Sequence, residues 1–77
     1  MTLISRTYCH LCQDMELALV PLMQEFAAEM EILDVDADPL LEERYGEIVP
    51  VLLHGQNELC RFVLDSGKVR DYLNDFR

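Results

Sequence analysis

The sequence contains no tryptophan and little glycine, proline or cysteine, three of each in 77 residues. So few glycines and prolines leave no flexible linker, low-complexity tract or Pro-rich segment, and residues 1–77 are expected to form one domain. Three cysteines, two of them only three positions apart, do not make a framework that staples distant parts of a fold. They point instead to reactive or metal-binding thiols. Every apolar run is far shorter than the ~20 residues a membrane helix requires, so a membrane association is not expected. Positive charge is scarce: six Lys and Arg face fifteen Asp and Glu, a net charge of -9. That is the wrong sign for a protein that displaces counterions from a phosphate backbone, and nucleic acid is not expected as a partner. Residues 1–6 lack the long apolar region and small-residue cleavage site of a secretory signal, so the expected location is cytoplasmic.

What is present is a hydrophobic fraction of 51%, enough for a core, arranged with changing periodicity. Residues 2–6 are a short β-prone run. After the first two cysteines, Met15, Leu19, Leu22, Met23, Phe26 and Met30 recur at helical spacing, with a kink expected before Pro21 and the helix continuing past it. Residues 31–35 read as a strand parallel to the first, completing a βαβ unit. Asp38 followed by Pro39 starts a short helix and Gly46 stops it. Residues 49–53 and 58–63 read as an antiparallel hairpin joined by residues 54–57. Asp65 or Ser66 caps a last helix with the apolar stripe Val69, Tyr72, Leu73 and Phe76. The predicted order is β-α-β-α-β-β-α, an α/β protein with a four-stranded mixed sheet flanked by helices.

Cys9 and Cys12 fall between the first strand and the first helix. At a helix start, the Cys9 sulfur lies beside unpaired backbone amides, which favour a thiolate. Cys12 is about one turn further along the same face, close enough to close a disulfide. Cys9 can then attack a substrate disulfide, and Cys12 can attack Cys9 to release the reduced product. Half of a zinc or iron-sulfur site has the same spacing, but the other candidate ligands, Cys60, His10 and His54, form no second pair.

The segment Ser5-Arg6-Thr7-Tyr8-Cys9-His10-Leu11-Cys12 resembles the active site of glutaredoxins, which commonly reads Ser-Lys-Thr-Tyr-Cys-Pro-Tyr-Cys. Ile48-Val49-Pro50-Val51 resembles the Val-Pro step before the third strand of thioredoxin-superfamily proteins. The resemblance spans the chain, and it is nearest to a compact bacterial glutaredoxin-like group with a CHLC motif. It implies a thioredoxin-like fold and a thiol-disulfide oxidoreductase, a monomer with no tightly bound cofactor. The implied substrates are protein or small-molecule disulfides, with glutathione or a reductase as electron donor. By the same resemblance Cys9 is the exposed nucleophile, Cys12 the buried resolver, Pro50 a cis residue, and Val49 the residue whose backbone pairs with substrate. Arg6 matches the lysine that meets a glutathione carboxylate, and Asp65 an aspartate that caps the last helix and meets an ammonium group. The glycine pair that binds the γ-glutamyl end of glutathione is replaced here by Phe62-Val63-Leu64-Asp65-Ser66.

Several of these residues have plainer readings. Arg6 could pair with nearby acids, and Tyr8 could pack rather than line a groove. His10 and His54 read as bystanders, and Cys60, mid-strand, as a packed thiol outside the site. The acidic residues of positions 29–47 read as a solvated face or as a surface for a basic redox partner. Two rivals to the oxidoreductase reading are a metal or iron-sulfur module and a thioredoxin-fold binding module without turnover.

Overall fold

The computed structural model describes residues 1–76, without the side chain of Phe76, whose expected place on the last helix's stripe lies outside the described residues. The elements are β1 (Thr2–Ser5), α1 (His10–Glu25), β2 (Glu31–Asp34), a single 3-10 turn (Val35–Ala37), α2 (Pro39–Tyr45), β3 (Val51–His54), β4 (Asn57–Arg61) and α3 (Ser66–Phe76). The sheet order is β2-β1-β3-β4, with β1 parallel to β2 and antiparallel to β3, and β3 antiparallel to β4.

Alternation along the strands divides the core between the two faces of the sheet. Leu3, Leu52 and Leu59 point to one face and meet Met15, Leu19, Leu22 and Met23 of α1 and Val69 and Leu73 of α3. Ile4 and Val51 point to the other face and meet Val35, with Leu41 and Tyr45 of α2 packed against them. One face thus carries α1 and α3 and the other α2, which is the thioredoxin-like arrangement expected from the sequence.

Three element boundaries differ from the sequence reading by two residues or more. The helical pattern that continues to Met30 is cut at Glu25, because Ala27 adopts φ 51°. The Ala28 amide donates to the Met23 carbonyl at 2.9 Å and the Ala27 amide to that of Gln24 at 3.3 Å, the paired bonds of a Schellman cap built without glycine. Met30 still joins the core, from the following loop. Strand β4 ends at Arg61 rather than at position 63, because Phe62 turns out of the ladder with φ 66°. Val49 and Pro50 precede β3 instead of opening it, and their peptide bond is cis. α1 runs through Pro21 without a break.

The hairpin turn is tighter than expected: His54 pairs with Asn57, leaving Gly55 and Gln56 between the strands. Gly55 has φ 63° at the first turn position, the requirement of a type II′ turn. Leu59 is the extra residue of a bulge between the Leu52–Cys60 and Leu53–Glu58 pairs. At the end of α2, a Cβ on Gly46 would lie 2.5 Å from the Glu42 carbonyl, so only glycine fits.

Candidate active site

Cys9 is the N-cap of α1, with extended backbone at φ -116° and ψ 111°. Its Sγ accepts a hydrogen bond from the Cys12 amide at 3.1 Å, and its carbonyl accepts the first helical bond, from Gln13 at 3.1 Å. The sulfur therefore occupies the place of a serine or aspartate cap, where an amide hydrogen bond and the helix dipole both stabilise negative charge. Cys9 is partly exposed and Cys12 is buried, with 2% of its surface accessible. Their Cα atoms are 5.2 Å apart and their sulfurs are joined as a disulfide, the oxidised state of the pair.

The turn into α1 is made by Tyr8 at φ 62°, a conformation that costs a side-chain-bearing residue roughly 1–2 kcal/mol. Tyr8 is 96% exposed, so it does not pack, and its ring stands in solvent next to Cys9.

The preceding loop is tied down by acids far away in sequence. Arg6 forms a hydrogen-bonded ion pair with Glu42 of α2 and a second ion pair with Asp36 of the 3-10 turn at 3.2 Å. The Glu42 hydrogen bond, against a smaller desolvation, raises the guanidinium pKa. Thr7 donates to Asp34 at 3.1 Å, and the same carboxylate accepts the Asp36 amide at 2.8 Å. Three of the residues read as a solvated acidic face, Asp34, Asp36 and Glu42, thus hold the two residues that lead into Tyr8 and Cys9. Their distance from Arg6 along the chain, 36 positions for Glu42, left no local signal of this.

The remaining expected site residues are Val49, Pro50 and Asp65. Pro50 is buried and its carbonyl accepts the Phe62 amide at 2.8 Å, while Val49 packs on the α2-side core. Asp65 caps α3 by accepting the Lys68 amide at 3.1 Å. Leu11, between the two cysteines, shares a groove with Phe62, Val63 and Leu64, and so links the redox pair to the segment bonded to Pro50. Arg6 is not part of this groove, since its side chain reaches to α2 on the opposite side of the sheet.

Cys60 packs against the α1/α3 core, and burial raises its thiol pKa, opposed by a backbone hydrogen bond with Asp65. His54 has a structural contact: its Nδ1 meets the Tyr72 hydroxyl and the rings stand edge to face at 5.4 Å, joining β3 to α3. Among the described residues, no three His, Cys, Asp or Glu side chains converge where they could hold a metal ion. No helix among them is long and apolar enough to cross a membrane.

Residues 1–74 match the family described as a glutaredoxin-like domain (DUF836). The chain is similar to the protein Ne2328 of Nitrosomonas europaea, known from a solution NMR structure, at 33% identity. That match covers 92% of this chain and 86% of the other, with a TM-score of 0.79. It is also 33% identical to the protein XcR50 of X. campestris, known from an X-ray structure, over 96% of this chain and 95% of that one, with a TM-score of 0.75. No curated protein matches the chain.

Proposed function

Because this chain belongs to the glutaredoxin-like domain family, with a thiol-disulfide redox pair at Cys9 and Cys12, we propose that its substrates are protein disulfides rather than glutathione adducts. The cap geometry supports the assignment of roles. In the reduced protein the Cys9 thiolate attacks one sulfur of the substrate disulfide, forming a mixed disulfide and expelling a substrate thiolate that takes a proton from solvent. The Cys12 thiol then loses its proton and attacks the Cys9 sulfur. This closes the Cys9–Cys12 disulfide and expels the second substrate thiolate, which is protonated in turn. Two electrons pass from the protein to the substrate, and an external dithiol or reductase restores the pair.

The observation that favours protein disulfides is the state of Arg6. Its charge is matched by both Asp36 and Glu42, so the cation that would recognise a glutathione carboxylate is already engaged. The glycine pair that the resemblance assigns to the γ-glutamyl end is replaced by Phe62-Val63-Leu64-Asp65-Ser66, which supports the same reading, with Asp65 alone kept for an ammonium group. Glutathione can still serve as a slow reductant, with no cofactor held tightly and the protein acting as a monomer. The compartment is read as the cytosol, where a dithiol can be kept reduced. The test is to compare oxidised protein reduced by glutathione with oxidised protein reduced by a thioredoxin reductase system. Faster reduction by glutathione would count against the proposal.

A further inference from the structure

We propose that Asp34, acting through Thr7, is a positioning residue for the redox pair: it holds the turn that keeps the Cys9 sulfur on the cap of α1. Asp34 ends β2 and pairs in register with Ser5, the last residue of β1, so its carboxylate stands beside the chain as it leaves the sheet for the cysteines. One carboxylate oxygen accepts the Thr7 hydroxyl at 3.1 Å and the other accepts the Asp36 amide at 2.8 Å. The second bond fixes the carboxylate at the head of the 3-10 turn, and the first passes that fixity to Thr7.

The residue that follows makes this contact matter. Tyr8 is left-handed at φ 62° and 96% exposed, so no packing of its own ring holds that unfavourable conformation. It is held through its neighbours, by the Thr7 bond to Asp34 before it and by the Cys9 cap after it. Relaxation of Tyr8 to negative φ swings Cys9 off the helix start, and its sulfur loses the Cys12 amide that stabilises a thiolate. Thr7 reaches Asp34 through a short, stiff side chain, which ties the backbone itself. Arg6 is one residue further away, and its ion pairs with Asp36 and Glu42 join partly exposed side chains whose attraction salt weakens. As a bare anion near the turn, Asp34 disfavours a second negative charge, whereas as a hydrogen-bond acceptor it favours the thiolate. The two roles therefore predict opposite signs.

The inference rests on Cys9 being the reactive thiol of the pair, and the test separates the two. Iodoacetamide labelling of Cys9 in the fully reduced, full-length protein is timed by peptide mapping in wild type, Thr7→Val, Thr7→Ser, Asp34→Ala and Asp34→Asn. At about pH 7, Thr7→Val and Asp34→Ala are expected to label about threefold to tenfold more slowly, the effect of one lost hydrogen bond. Thr7→Ser and Asp34→Asn keep the donor and the acceptor, and they are expected to label at the wild-type rate or faster. At about pH 10 the thiol is ionised in every variant and the deficit is expected to vanish. Tyr8, His10, Cys12 and Asp14 along the turn and helix, and Arg6, Asp36 and Glu42 beside it, are the same throughout and cancel from the comparison. Glu58→Gln, at the far edge of the sheet, is expected to label as wild type, which separates positioning from a general loss of stability. Wild-type rates in Thr7→Val and Asp34→Ala, with Cys9 still faster than Cys60, would overturn the positioning role and leave the nucleophile standing. Faster labelling in both Asp34 variants would reduce Asp34 to a bare charge, and a deficit that persists at about pH 10 would assign the effect to access; either result overturns the inference. Cys9 slower than Cys60 in wild type would overturn both readings.

Discussion

The Cys12 amide donates to the Cys9 sulfur across one turn of α1, at 3.1 Å, so the buried partner of the redox pair helps to hold charge on the exposed one. On the proposed function, attack falls to Cys9 and resolution to Cys12. Cys9→Ser is expected to abolish disulfide reduction, whereas Cys12→Ser is expected to accumulate a mixed disulfide on Cys9. Intact-mass and peptide mapping check this; an adduct on Cys60 would reverse the assignment.

The third cysteine gives a pH-linked prediction. Burial raises the Cys60 pKa, so at neutral pH its thiolate fraction is smaller than that of a free cysteine. In fully reduced protein, Cys60 is expected to alkylate at least about tenfold more slowly than Cys9 near pH 7. Timed labelling with iodoacetamide measures both; faster labelling of Cys60 would contradict the placement of the reactive thiol.

Arg6 is engaged by Asp36 and Glu42, so its removal takes little from glutathione recognition. Arg6→Ala is expected to leave the rate on a glutathione mixed disulfide nearly unchanged. Glu42→Gln frees part of the cation and is expected to raise that rate by up to about tenfold, the effect of one charge-assisted hydrogen bond. A large loss in Arg6→Ala would show that the cation already serves glutathione.

Glu58 supplies a stability test at the far edge of the sheet. A bidentate hydrogen bond from Arg61 lowers its carboxyl pKa against a small desolvation. A depressed carboxyl stabilises the fold above its unfolded pKa, and that contribution is lost as pH falls through the lower, folded value. Glu58→Gln is therefore expected to lower the melting temperature slightly near pH 7 and to lose its effect below about pH 4. Equal destabilisation at both pH values would attribute the change to something other than the ion pair.

Leu19 is fully buried where α1 meets the sheet. Leu19→Ala is expected to cost about 2–5 kcal/mol, comparable with the whole net stability of a domain this small. Denaturant titration checks it, and a loss below about 1 kcal/mol would mean that the core there can collapse to fill the space.

Periodicity made the element order, the βαβ unit and the two-sided core readable before the structure, and the Cys9-to-Cys12 spacing located the redox pair. Two of the boundaries that were missed, after α1 and after β4, are places where a residue other than glycine turns left-handed. Ala27 and Phe62 give no compositional warning, because what holds them is backbone hydrogen bonding, the local Schellman bonds to Met23 and Gln24 and the bond from Phe62 to Pro50 at the approach to β3. The same holds for Arg6 and His54, whose partners Glu42 and Tyr72 lie 36 and 18 positions away. Pairwise charge and hydrogen bonding across a fold have no period in sequence. Tyr8 is different: one residue before a helix cap, its conformation was local but not marked by its type.

On the proposed function, the Cys9–Cys12 dithiol reduces protein disulfides in preference to glutathione adducts. The most direct measurement is the single-turnover rate of pre-reduced protein on a protein disulfide and on the same protein carrying a glutathione mixed disulfide, with Cys9→Ser beside both. The protein disulfide is expected to react faster, and Cys9→Ser with neither substrate. A faster reaction with the glutathione adduct, or undiminished activity without Cys9, would contradict it.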